Sequence, residues 1–203
     1  MCYPESDLLE ALPELQAALS ELPELKNNPH RAGLDKFLDH LASHTLRELQ
    51  EDYVLVFDRS RHHALYIFEH VYGEDRDRGS AMVDLLEEYR RYGYELGDDE
   101  LPDYLPALLE FFAHIPPENA EKLLGDAVHV INHIGKNLRT AGSPYAAVLE
   151  CAVSLSPVEP QPLIEPPVRD MDEAMETFGP DVSGIEPLLK PSIQTVQFYP
   201  KSK

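Results

Sequence analysis

Apolar residues recur every three or four positions through most of this chain, and that spacing admits helices rather than sheet. Leu8, Leu12, Leu15, Leu19 and Leu22 mark one face of a first helix, interrupted by Pro13, which kinks it or resets its start. After the break at Asn27-Asn28-Pro29, Leu34, Phe37, Leu38 and Leu41 predict a second helix, and Leu46, Leu49, Tyr53 and Phe57 continue the pattern. Leu65, Phe68 and Tyr72 predict a short helix ending at Gly73, and Met82, Leu85, Leu86 and Tyr89 another closing near Gly93. Leu105, Leu108, Leu109 and Phe112 follow Pro102. A long stripe through Leu124, Ala127, Val128, Ile131, Ile134 and Leu138 ends before Gly142, and Ala146, Leu149 and Val153 close the set. Only YVLVF (53–57) is rich in strand formers, and helical sequence flanks it. The expectation is an all-α bundle of about six to eight helices.

The pattern stops near Ser156. Nine of the 18 prolines fall in the 47 residues after it, and SPVEPQPLIEPP reads as a proline-stiffened extended segment. The domain reading is therefore 1–156, a helical domain, and 157–203, a Pro-rich acidic tail, extended or partly disordered, that builds no core. Within the tail, Met171, Met175 and Phe178 have the spacing of one short helix, which predicts a plug for an apolar groove.

Charge then narrows the function classes. With 37 acidic and 17 basic side chains the formal charge is −20, which opposes phosphate backbones and anionic membrane surfaces and favours cationic partners. The tail holds 8 acidic and 4 basic residues, so most of the acidity belongs to the helical part. The two cysteines, Cys2 and Cys151, form no CxxC, and neither a disulfide framework nor a zinc site is expected. The start MCYPESDLLE lacks a basic n-region, and no run suits a membrane span, so a cytoplasmic protein is expected.

Catalytic motifs are missing: there is no phosphate loop, Rossmann glycine pattern or GxSxG elbow. His129 and His133 share a helix face at i, i+4, but Val130 stands where HExxH needs Glu, so a structural role outweighs a metal role. Asp98-Asp99-Glu100 reads as a solvated or capping run before a helix. Two segments carry more. In GEDRDRGSAMVDL, Gly73 and Gly79 flank Arg76-Asp77-Arg78, a charged corner between apolar-faced helices; the plain reading is a surface loop with weak ion pairs. In LPDYLP (101–106), two prolines bracket Asp103-Tyr104, either as a helix stop and restart or as a hinge that presents both residues to a ligand.

Taken together, FD…YIFEHVYGEDRDRGSAMVDLLEEY…ELPDYLPALLEF resembles the nitrate reductase molybdenum-cofactor assembly chaperones of the NarJ type, within the wider redox-enzyme maturation chaperones that include the TorD and DmsD types. The resemblance is strong over 53–113, moderate over 3–52 and 114–155, and weak in the tail. LPDYLP is similar in position to the Glu-Pro-x-Asp-His hinge motif of the wider group, but Leu101 and Tyr104 replace its Glu and His, so nucleotide binding is not carried over. The family usually has several residues before the Tyr-Pro pair, whereas here Tyr3-Pro4 come almost at once, so a short first helix or an internal start is expected.

The resemblance implies a non-enzymatic chaperone. It would bind the N-terminal, leader-like segment of the nitrate reductase catalytic α-subunit and assist insertion of bis-molybdopterin guanine dinucleotide, holding no cofactor permanently. The client segment is basic with an apolar helical face. Candidate client-binding residues are Phe57, Tyr66, Glu69, His70, Met82, Leu85, Tyr89, Asp103, Tyr104 and Glu110, although helix spacing equally suits Met82, Leu85 and Tyr89 to the core. Gly73, Arg76, Asp77, Arg78, Gly79 and Pro102 are assigned to a structural corner, with Arg76 and Arg78 pairing to Asp77, Glu74 or Asp103. The alternative is a small-ligand, nucleotide-binding helical protein using the Leu101–Pro106 hinge.

Overall fold

The computed structural model describes residues 2–26, 28–72, 77–97 and 100–163. The chain divides into a unit Met1–Pro166 and a second, Pro167–Lys203. The second unit lies outside the described residues, and with it the expected plug at Met171, Met175 and Phe178.

The first unit is all-α. Nine α-helices run through the described residues: α1 Ser6–Glu21, α2 Pro23–Lys26, α3 Arg31–Ser43, α4 Leu46–Tyr53, α5 Ile67–Tyr72, α6 Asp77–Arg91, α7 Leu105–His114, α8 Pro117–Thr140 and α9 Ala146–Ser154. Pro13 does not break α1, which continues through it. Thr45 starts α4 with a capping box, its hydroxyl accepting from the Glu48 backbone while the Glu48 side chain accepts from Thr45 N–H. The strand-prone run after α4 is a π-helical turn, Val54–Asp58, and a 3₁₀ turn follows at Arg61–His63. Widening the turn buries Phe57 while leaving Leu55 exposed. Gly93 and Gly142 take positive φ (79° and 73°) just beyond the ends of α6 and α8, where a side chain would be strained.

α8 is the axis of the bundle. Val128, Ile131, Ile134 and Leu138 are fully buried along it. Each such side chain contributes about 1.5–3 kcal/mol of burial free energy. α9 lies closely against α8, because a Cβ on Gly135 would meet Leu149 Cβ at 3.3 Å. On its other side α9 admits α3 through Gly33, where a Cβ would meet Ala147 Cβ at 3.0 Å. Leu12, Leu38, Leu41 and Leu49 form a satellite core between α1, α3 and α4. After α9 the chain turns back over α8: Val158 sits against Gly125, the Gln161 N–H donates to His129 Nδ1 at 2.9 Å, and Leu163 packs on the main core.

Candidate functional site

The stretch 101–106 is held by backbone pairing. Ile67 N–H donates to the Asp103 carbonyl at 3.1 Å, and Leu105 N–H donates to the Leu65 carbonyl at 2.8 Å. These bonds make an isolated antiparallel bridge between Tyr66 and Tyr104. Pro102 and Asp103 form a turn, closed by Tyr104 N–H donating to the Leu101 carbonyl at 3.1 Å, and Pro106 lies in the first turn of α7. The Asp103 side chain closes the joint. It is completely buried, and its Oδ2 accepts from Phe68 N–H at 3.0 Å, which caps the first turn of α5. Arg78, at the start of α6, brings its Nη2 to 3.8 Å from the same oxygen and 3.6 Å from Glu69. Burial raises the Asp103 carboxyl above its ordinary range, against the Phe68 N–H and the Arg78 charge, which lower it. Among the described residues, Asp103 Oδ1 and Arg78 Nε are buried without hydrogen-bond partners. The segment is thus a clasp joining α5, α6 and α7. It does not present Asp103 to an outside ligand, and a nucleotide has no access to that carboxylate.

Beside the clasp lies an apolar groove of about 300 Å³. Ile67, Phe68, Val71 and Tyr72 of α5 form one wall, with Leu85 of α6 beside them. Leu108 and Phe112 of α7 and Leu123, Ala127 and Val130 of α8 complete it, and Asp126 is the acidic residue of the lining. Val71 is 40% exposed, and Val83 on α6 is 54% exposed. A smaller pocket of about 180 Å³ lies behind α7, where Glu110 meets Tyr94, Glu95 and His114.

The residues named from sequence fall into several places. Leu85 lines the groove. Met82 is half-buried on α6 but not part of the groove lining. Tyr66, Glu69 and Tyr104 are half-buried around the clasp. Phe57 and Tyr89 are core residues: Phe57 packs between Tyr53 and Tyr145, and Tyr89 packs on Phe111 with its hydroxyl donating to the Pro102 carbonyl at 3.2 Å. Neither is available to a groove wall. His70 is also buried, its Nε2–H donating to the Ala64 carbonyl at 2.9 Å while its ring meets His133. Burial holds its pKa down to about 4. Glu110 is exposed and lines the smaller pocket instead. Of the corner residues, Pro102 is buried in the clasp, and Asp77, Arg78 and Gly79 begin α6; Gly73 and Arg76 lie outside the described residues.

Most groove residues appeared in sequence only as members of helical stripes. Phe68, Tyr72, Leu108, Phe112 and Ala127 carry the right period, but period does not tell which stripes leave a gap where they converge. Val71, Leu123 and Val130 lie off the stripes read from sequence. His129 and His133 do not form a metal pair with a third ligand: no group of three or more His, Cys, Asp or Glu fit to hold a metal occurs among the described residues. His129 Nδ1 is instead an acceptor for the returning chain, and His133 Nε2 accepts from Asn137 Nδ2 at 3.1 Å.

No helix among the described residues is long and apolar enough to cross a membrane. A family model described as nitrate reductase delta subunit matches residues 6–149. The chain is 36% identical over 155 residues to the nitrate reductase molybdenum cofactor assembly chaperone NarJ of Escherichia coli (strain K12), covering 76% of this chain and 65% of that protein. It is 38% identical over 123 residues to the probable nitrate reductase molybdenum cofactor assembly chaperone NarW of the same strain, covering 61% and 53%. The probable nitrate reductase molybdenum cofactor assembly chaperone NarJ of Bacillus subtilis (strain 168) is 30% identical over 149 residues, covering 73% and 79%. The matched part thus spans 65% of the length of the first of these relatives.

Proposed function

From the premise that this chain belongs to the nitrate reductase delta subunit family, we propose that it is a non-enzymatic assembly chaperone for a respiratory nitrate reductase. In this reading it binds the leader-like N-terminal segment of the catalytic α-subunit in the cytoplasm. It keeps that client open while bis-molybdopterin guanine dinucleotide, the cargo of the process, enters the client, and it retains no cofactor itself.

The observation that carries the reading is the open apolar groove between α5, α6, α7 and α8 on a chain of charge −20. A helix with an apolar stripe and a basic face matches both properties, the stripe entering the groove and the acidic surface attracting the charge. The clasp at Asp103 supports the reading mechanically, because it fixes α5 and α7, two walls of the groove, at one point.

Calorimetry with a synthetic peptide of the α-subunit N-terminus tests it. Binding that weakens as salt is added is the expected result. A peptide that does not bind, together with failure of the two proteins to co-purify, would sink the reading.

A further inference from the structure

Beside the clasp, a row of tyrosines runs from the surface at Tyr3 through the buried Tyr53 to the half-buried Tyr104 and Tyr66. Tyr3, 48% exposed, meets Tyr53 edge-on with ring centres 5.6 Å apart. The Tyr53 and Tyr104 hydroxyls are 3.3 Å apart, and Tyr104 lies over Tyr66 with ring centres 5.3 Å apart and planes inclined by 35°. The row ends on a carboxylate: Tyr66 donates its hydroxyl to Glu100 Oε1 at 3.4 Å. Leu101, 46% exposed, follows directly.

We propose that Tyr66, Tyr104 and Glu100 form a subsite for a guanidinium group, the place where an arginine of the bound client is read. This deepens the client reading above and rests on it for the identity of the occupant. The chemistry is specific. A guanidinium is planar and weakly hydrated, so it stacks on an aromatic face while its N–H groups reach a carboxylate. Tyr66 and Tyr104 supply half-buried rings, and the backbone bridge between these residues holds the two rings in register. Glu100 supplies the charge. Both hydrogen bonds to its carboxylate among the described residues, from Tyr66 and from Leu101 N–H, fall on Oε1, so the carboxylate keeps acceptor capacity. No Lys or Arg forms an ion pair with it among the described residues, whereas Asp103 and Glu69 already meet Arg78. Tyr66 itself is outside the groove lining, but the next two residues, Ile67 and Phe68, line the groove wall. In this proposal the client helix places its apolar stripe in the groove and an arginine on Tyr66.

Ring-proton NMR of tyrosine-labelled full chain tests the subsite directly, with N-acetyl-arginine amide as probe and the citrulline amide as its neutral isostere. Saturable shifts confined to Tyr66 and Tyr104, seen with arginine, absent with citrulline and lost in Glu100→Gln, are expected. Equal shifts with both probes, or none, would overturn the subsite. In parallel, calorimetry uses the α-subunit N-terminal peptide and its arginine-to-citrulline versions. One citrulline version is expected to bind about two- to fivefold more weakly, and that difference is expected to vanish in Glu100→Gln or Tyr66→Leu. A peptide that binds well but ignores citrulline and both variants overturns the subsite and leaves the client reading standing. Arginine-specific shifts without peptide binding would do the reverse.

Discussion

The Oδ2 of Asp103 accepts the backbone N–H of Phe68 at 3.0 Å, across 35 residues of chain. One completely buried carboxylate thereby caps α5, meets Arg78 of α6 and leads into α7. Removing it leaves an unsatisfied N–H and a guanidinium without that partner. Asp103→Ala is expected to cost about 2–4 kcal/mol, and Arg78→Ala about 2–3 kcal/mol. The double variant should cost at least about 1 kcal/mol less than the sum, because each single change strands the other group. Urea unfolding of the four proteins measures this coupling, and strict additivity would mean that the clasp does not act as a unit.

His70 predicts an acid-sensitive fold. It is buried and neutral, with its pKa held down to about 4 by burial and by the nearby His133, Arg61 and His62. Since the folded pKa lies below the unfolded value, stability is full above the unfolded pKa and is lost as pH falls toward the folded one. Between about pH 6.5 and 4 the loss from this group is roughly 3 kcal/mol. His63, also held down by burial, adds in the same direction. Urea midpoints across that window should flatten in His70→Gln, whose amide can still donate to Ala64; an unchanged slope would contradict the assignment.

Two glycines should respond differently to alanine. At Gly33 the new methyl would meet Ala147 Cβ at 3.0 Å, in the contact between α3 and α9. At Gly125 it would meet Val158 Cγ2 at 2.9 Å, on a side chain that is 43% exposed and can move. Gly33→Ala is expected to lower stability by about 1–3 kcal/mol. Gly125→Ala should stay within about 1 kcal/mol, since displacement of Val158 is offset by the better helix former. Thermal melts of the two variants distinguish them.

The groove itself is tested at Leu85, a half-buried lining residue. Leu85→Asn should weaken the α-subunit peptide by about tenfold or more, while Val83→Asn on the same helix, outside the lining, changes affinity little. Calorimetry with both variants provides the comparison. Equal losses would move the client off this groove.

Helix content was legible without coordinates, because a three-to-four residue period is a local property that any segment displays on its own. The stripes of α3, α7, α8 and α9 all lie within helices, and that of α1 does as far as Leu19, with Leu22 just past its end. The motif LPDYLP was also legible as a place where an ordinary helix cannot continue. Its partner was not: the Phe68 N–H that Asp103 caps lies in a distant segment, and hydrogen bonding across 35 residues leaves no periodic trace. YVLVF shows a different limit. Its β-branched residues fit a strand, but as a π-turn the run satisfies its backbone locally and turns Phe57 onto Tyr53 and Tyr145.

The sequence by itself therefore determined the all-α class, the charge of −20 and the family. All three are readable residue by residue along the chain. Tertiary structure alone decided which apolar faces were consumed and which stayed open. Tyr89 and Leu85 lie four residues apart on α6, yet one is sealed against Phe111 and the other lines a groove. That difference depends on how α5, α7 and α8 converge around α6, a property of several distant segments at once.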